Sequence, residues 1–125
     1  MKVEEYVEAY KKEINREEEK RNLLFKKLNE KARQAARQLG SKYNLDKIYL
    51  FGSLINKDKF RLNSDIDLAV KGLSSQDYLA AWGDLEDHLG YSFDLVQMEK
   101  ANNLLVETIK EEGEVIYESR RSQGK

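Results

Sequence analysis

The sequence predicts a mixed α/β (α+β) fold: a small mixed sheet flanked by helices, with a long N-terminal helical segment. Two observations carry this. Apolar residues recur at helical spacing up to Leu39 and change to short β-prone runs after Gly40. The runs then alternate as helix, strand, short helix, strand, helix, strand, helix, the order of a sheet with helices packed on it. With 125 residues, the chain fits one domain of ordinary size.

Residues 3 to 39 read as helix. Val3, Tyr6, Val7, Tyr10 and Ile14 form one stripe, and Leu24, Leu28, Ala32, Ala35, Ala36 and Leu39 resume it. Between them, Asn15 to Asn22 is almost wholly Arg, Glu and Lys. Asn15 with Glu18 three residues on could cap a second helix, so one long helix and two shorter ones are both open. Gly40 is the expected stop, because glycine tolerates the left-handed conformation there.

Lys47 to Phe51 is a β-prone run ending at Gly52-Ser53, which opens a short helix with Ser53 as a possible cap. Ile66 to Val70 is the second strand. Ser75 to Leu89 is helical, with Tyr78, Leu79, Trp82, Leu85 and Leu89 on one side and Gly90 as its stop. Ser92 to Met98 is the third strand. Ala101 to Glu112 is a helix with Leu104, Leu105, Thr108 and Ile109 inward, and Val115 to Tyr117 adds an edge strand. The expected division is an N-terminal helical extension over 1–22, the domain proper over 23–118, and a polar tail over 119–125, expected to be disordered.

Composition excludes several function classes. There is no cysteine and a single histidine, His88, so thiolate and multi-histidine zinc sites are ruled out. His88 lies near a helix C-terminus, where the helix dipole favours a cation, and is read as structural. Charged residues reach 36%, yet the net charge is only -1, which argues against a broad nucleic-acid binder. No apolar run is long enough to span a membrane, and the first residues are too acidic and polar for a signal peptide. The expected location is cytoplasmic.

The chemistry centres on Asp65-Ile66-Asp67. Strand positions two apart point the same way, so both carboxylates share one face while Ile66 enters the core. Two adjacent carboxylates repel unless a cation lies between them, and hard cations such as magnesium prefer carboxylate oxygens. Alone, the pair is better read as a turn residue followed by a solvent-facing one. Gly52-Ser53 follows a strand directly. Glycine lets backbone N–H groups approach a phosphate closely, so a side chain at Gly52 is expected to obstruct it. Asp94 stands in an otherwise apolar strand, where a lone carboxylate is unfavourable in a core. Joining the other two aspartates gives it a reason to be there, and the three are expected to converge. Together these elements have the form of a two-metal phosphoryl-transfer site, one metal holding the triphosphate and the other activating the acceptor.

Leu50-Phe51-Gly52-Ser53 and Asn63-Ser64-Asp65-Ile66-Asp67-Leu68-Ala69-Val70 resemble the signature of the polymerase-β-like nucleotidyltransferase superfamily. The short length resembles its minimal branch, the MNT proteins, over roughly Leu24 to Tyr117. The resemblance implies the nucleotidyltransferase fold. It implies that Gly52 and Ser53 hold the triphosphate, with Ser64 and Lys57 as further phosphate-binding candidates. It implies that Asp65, Asp67 and Asp94 are catalytic and bind two Mg2+ ions, Asp94 also activating the attacking hydroxyl, with ATP as substrate. Two departures stand out. Eleven residues, Leu54 to Ser64, separate the Gly-Ser from the Asp-x-Asp, one more than the usual spacing. The run after the serine, Leu54-Ile55-Asn56-Lys57-Asp58, lacks the small residue, base and glycine common there, so Lys57, Lys59 or Arg61 would supply the charge.

Minimal members of this family commonly act as antitoxins of HEPN-domain RNase toxins, placing AMP on a toxin tyrosine, and the resemblance implies that role here. Two other readings differ in class. One is a degenerate antitoxin that neutralises its toxin by binding alone. The other is a small-molecule transferase of the aminoglycoside-modifying kind, which usually carries a further substrate-binding domain. The N-terminal stripe could pack back on the domain, dock a partner or pair with a second copy.

Overall fold

The structure is a computed structural model and describes residues 2–123. It opens with one unbroken 40-residue helix, α1 (Val3–Lys42). The charged stretch stays helical because Glu, Lys and Arg are strong helix formers, aided by ion pairs one turn apart at Glu13–Arg16 (3.6 Å) and Glu18–Arg21 (3.0 Å). The two halves of α1 differ. Residues 2–20 are exposed, whereas Leu28, Ala32, Ala35, Ala36, Leu39 and Gly40 are buried.

Gly40 does not end the helix. α1 runs on to Lys42, and the left-handed residue of the turn that follows is Asn44 (φ 54°). Gly40 lacks a side chain for another reason: a Cβ there would run into the ring of Tyr117, which lies against the helix.

Four strands form one sheet in the order β3-β2-β1-β4: β1 (Lys47–Phe51), β2 (Ile66–Lys71), β3 (Phe93–Gln97) and β4 (Glu114–Glu118). β1 is antiparallel to β2 and to β4, while β2 and β3 run parallel. Parallel neighbours need a crossover, and α2 (Tyr78–Leu89) supplies it. α2 starts later than the period predicts, because Ser74 turns the chain by accepting the Asp77 N–H (3.2 Å). It ends at Gly90, which is left-handed (φ 57°). α3 (Asn103–Glu112) is capped by Asn102, whose side chain accepts the Leu105 N–H at 2.8 Å.

Leu104 and Thr108, expected inward, are exposed, and so is Leu79 on the apolar side of its helix. Each helix buries a narrower stripe than its apolar residues would allow: Ala81, Leu85 and Leu89 in α2, Ile109 in α3. Trp82 is only partly buried. It packs on Phe93 (ring centroids 4.6 Å) and donates Nε1–H to Glu86 at 2.9 Å.

The expected disorder of the tail does not hold over the described residues 119–123. Glu118 belongs to β4, and α4 (Arg120–Gln123) follows. Arg121 donates to the Asn44 carbonyl (2.9 Å) and pairs with Asp46 (2.8 Å), while the Ser119 N–H bonds to the Asp46 carbonyl at 3.0 Å. Gly124 and Lys125, like Met1, lie outside the described residues.

The two sheet faces are covered unequally. Ile48, Leu50, Ile66, Leu68, Val70 and Leu95 point to the main core, roofed by α1 and α2. Burying each of these side chains is worth roughly 1.5–3 kcal/mol. The other face carries a smaller cluster of Tyr49, Ala69, Met98 and Ile109, with only the short α3 over it.

Gly40→Val should destabilise the fold by about 1–3 kcal/mol despite valine's lower chain entropy, because the Tyr117 ring must move. In a Tyr117→Ala background most of that cost should vanish, as denaturant midpoints of the four proteins in the cycle would show.

Candidate active site

Strand alternation explains where the carboxylates stand. Ile66, Leu68 and Val70 are fully buried in the main core, so Asp67 projects from the thinly covered face. In the parallel pairing, Asp67 stands opposite Asp94, which puts both on that face on neighbouring strands. Asp67 is half-buried and Asp94 exposed. Desolvation, then the charges of Asp94 and Asp65, push the Asp67 carboxyl up to about 6. The Asp94 charge also helps burial to raise the phenol of Tyr78, which donates to the Leu95 carbonyl (2.7 Å).

Asp65 is one residue short of β2, so the pleat does not hold it. Its carboxylate accepts the hydroxyl of Ser92, the residue just before β3. Among the described residues, no group of three or more His, Cys, Asp or Glu side chains is arranged to hold a metal ion. The three aspartates are thus electrostatic neighbours without forming a ready-made ligand set.

Gly52 joins this cluster to a cleft. β1 pairs with β2 so that Phe51 faces Asp67, and the chain then turns through a 3₁₀ segment, Gly52–Ile55. Gly52 takes φ 77°, and a Cβ there would meet Asp67 Oδ2 before anything else. The obstruction first met by a side chain is therefore the carboxylate itself. Ser53 is not the cap of this turn; Phe51 occupies that position without a side-chain cap bond, and the Ser53 carbonyl accepts the Asn56 N–H at 3.2 Å. A cleft of about 540 Å³ opens here, lined by Gly52, Ser53, Ile55, Asn56, Lys59 and Glu112. That volume suits a small-molecule ligand.

The three bases of the long loop have different fates. Lys59 lines the cleft, Lys57 is exposed and does not, and the Arg61 guanidinium is used inside the loop on the Asp58 and Phe60 carbonyls (2.9 Å each). Ser64 is engaged too: its hydroxyl accepts the Arg61 N–H at 2.9 Å and closes the turn before Asp65. The loop is held from α1. Arg21 donates to the carbonyls of Lys57 (2.6 Å) and Phe60 (3.3 Å), and Asn29 donates to that of Leu54 (2.9 Å). Phe60 is fully buried, edge-on to Phe25. His88 is exposed in the last turn of α2, makes none of these bonds, and borders a small cavity with Lys42 and Asp84.

Glu112 was invisible to sequence reasoning. Nothing in a helix-terminal glutamate marks it. The pairing of Glu114 with Leu50 is what returns the end of α3 to the mouth of the cleft.

With this geometry in view, relationships to known proteins take on meaning. The family model described as polymerase beta, nucleotidyltransferase matches residues 33–122, and the chain belongs to that family. It is a nucleotidyltransferase. Among solved structures it is similar to a toxin–antitoxin with AMP-PNP, at 26% identity over 74% of this chain and 77% of that one, TM-score 0.59. It is also similar to a minimal nucleotidyltransferase, at 25% identity over 72% and 93%, TM-score 0.58. The toxin–antitoxin MntA-HepT shares the fold at 24% identity over 74% of each chain, TM-score 0.54. No curated protein matches the chain.

Two variants test the site without a ligand. Because its folded value is raised, Asp67 contributes stability that is present below about 3.8 and lost as pH rises through about 6. Asp67→Asn should therefore melt higher than the wild type at pH 8, by roughly 1 kcal/mol after discounting for solvent screening, with the gap closing towards pH 4. Thermal melts in a chelator at both pH values give the comparison. Gly52→Ala should cost about 1–3 kcal/mol, from the left-handed backbone and the displaced carboxylate, and less in an Asp67→Ala background. Equal penalties in the two backgrounds would count against the contact.

Proposed function

We propose that this chain transfers AMP from ATP to a hydroxyl with two Mg2+ ions, the acceptor being a tyrosine of a HEPN RNase toxin, and that it acts as the antitoxin of that pair. One observation carries the reading: Asp67 and Asp94 stand in register on adjacent strands, beside the glycine that leads into the cleft. The similar toxin–antitoxin that holds AMP-PNP supports a nucleotide as the ligand.

The donor set suits magnesium. It consists of hard carboxylate oxygens, and Asp67 is pushed up by uncompensated neighbours whose repulsion a divalent cation relieves. Asp67 and Asp94 would hold it, with Asp65 joining once it leaves the Ser92 hydroxyl. When bound, the metal neutralises triphosphate charge and acidifies the attacking hydroxyl. Gly52 and Ser53 then receive the phosphates, and Lys59 adds the cation that the loop after Ser53 otherwise lacks; Ser64 and Lys57 support the loop. Asp94, exposed at the strand start, takes the acceptor proton. The acceptor oxygen bonds to the α-phosphorus, and the bond to pyrophosphate breaks. Tyrosine suits this step because its hydroxyl, near pKa ~10, is far more acidic than that of serine. A cleft this open leaves one wall to the acceptor macromolecule. The net charge of -1 favours a protein over RNA.

A second reading, neutralisation by contact alone, is favoured by the lack of a ready-made metal-ligand set among the described residues. Incubating the chain with labelled ATP, magnesium and the HEPN protein encoded beside it separates the two. Transfer predicts an AMP adduct on a toxin tyrosine, and Asp67→Asn should lower the rate at least ~100-fold. A tight complex with no adduct by mass spectrometry would favour contact alone.

A further inference from the structure

The first half of α1 has an apolar stripe that is left exposed among the described residues. Val3 (76% exposed), Val7 (41%), Tyr10 (61%) and Ile14 (44%) follow one another at spacings of four, three and four, with Tyr6 (66%) beside them. This is the seam of a two-helix coil. The stripe lies ahead of Arg21, which makes the first hydrogen bonds from α1 to the rest of the described chain. It also lies wholly outside the matched family region, which begins at residue 33. The transferase fold therefore does not account for it.

The charges flanking the seam indicate what covers it. Glu4 and Lys11 flank one side of the stripe two turns apart, while Glu5 and Lys12 lie on the opposite face of the helix. We propose that residues 3–14 of α1 pair antiparallel with the same segment of a second copy of this chain. In that register Val3 packs against Ile14 of the second copy, and Val7 against Tyr10 of the second copy. Four apolar layers form, two by symmetry. The same register sets Glu4 beside Lys11 of the second copy, and the reciprocal contact follows from the two-fold axis. A parallel pair would instead set Lys11 beside Tyr6 of the second copy and lose both ion pairs. The overlap of about 18 Å ends at Ile14, which borders a groove with Arg61 and Leu62 of the loop, so the two globular parts lie beyond opposite ends of the paired segment. Four layers make a small interface, so the dimer is weak and reversible, dissociating at about micromolar concentration.

Sedimentation equilibrium of the full chain, from about 1 to 200 μM, tests this independently of catalysis. The wild type should show a reversible monomer–dimer equilibrium. Val7→Glu with Tyr10→Glu should leave it monomeric throughout, with the domain still folded by near-UV circular dichroism, since both side chains are exposed. Lys11→Glu should weaken the dimer at least tenfold, and adding Glu4→Lys should restore it, whereas Glu5→Lys with Lys12→Glu should leave it unchanged. Only the antiparallel register predicts that rescue. A wild type that stays monomeric up to 200 μM overturns the proposal, including where the same stripe binds another protein. A dimer indifferent to the Val7 and Tyr10 changes, or no recovery in the Lys11→Glu, Glu4→Lys swap, overturns it equally.

Discussion

The alternation of β2 is the constraint on which the rest of the molecule depends. Ile66, Leu68 and Val70 must reach the main core, and nothing else in the sheet supplies that part of its floor. Once they do, Asp67 has no choice of face. A slip of one residue would bury the carboxylate and expose three aliphatic side chains, a loss of several kcal/mol on each account. The same strand pairs on both edges, with β1 and β3, so its register also decides which residues stand beside Asp67. Phe51 and Gly52 arrive from one side and Asp94 from the other. Folding energy and site geometry are thus set by one register.

The site in turn makes the fold tolerate something unfavourable. A half-buried carboxylate near two others is held with its pKa near 6, and a left-handed glycine packs against it. Such local cost persists only where the surroundings over-determine it. Here the surroundings are the fully buried strand beneath and the paired strands on either side. The thin cover of α3 on this face leaves the carboxylates open to a ligand, whereas the α1–α2 face is closed.

α1 links the two regions of the molecule. Its second half is core, packed through Leu28, Ala32, Ala35, Ala36 and Leu39. Asn29 and Arg21 reach from it to the carbonyls of Leu54, Lys57 and Phe60, so the loop between Gly52 and Asp65 hangs from the helix rather than from the sheet. Buried Phe60 anchors the same loop. This explains how the eleven-residue loop from Leu54 to Ser64 still delivers Lys59 to the cleft. Further towards the N-terminus the helix leaves the domain, and its apolar stripe continues without a roof.

By itself the sequence determined the element order, the mixed sheet, the face on which Asp67 stands, and the motif that marks a nucleotidyltransferase. Each is a local property: a period, a glycine stop at Gly90, a carboxylate out of place in an apolar strand. Tertiary structure alone decided which loop base enters the cleft, that Ser64 closes a turn, that Ser92 holds Asp65, and that Gly40 is small for Tyr117 rather than for a turn. It alone brought Glu112 to Gly52, by pairing β4 with β1. These depend on contacts between residues far apart in the chain, and neither periodicity nor composition carries information about which distant strand or ring a residue will meet.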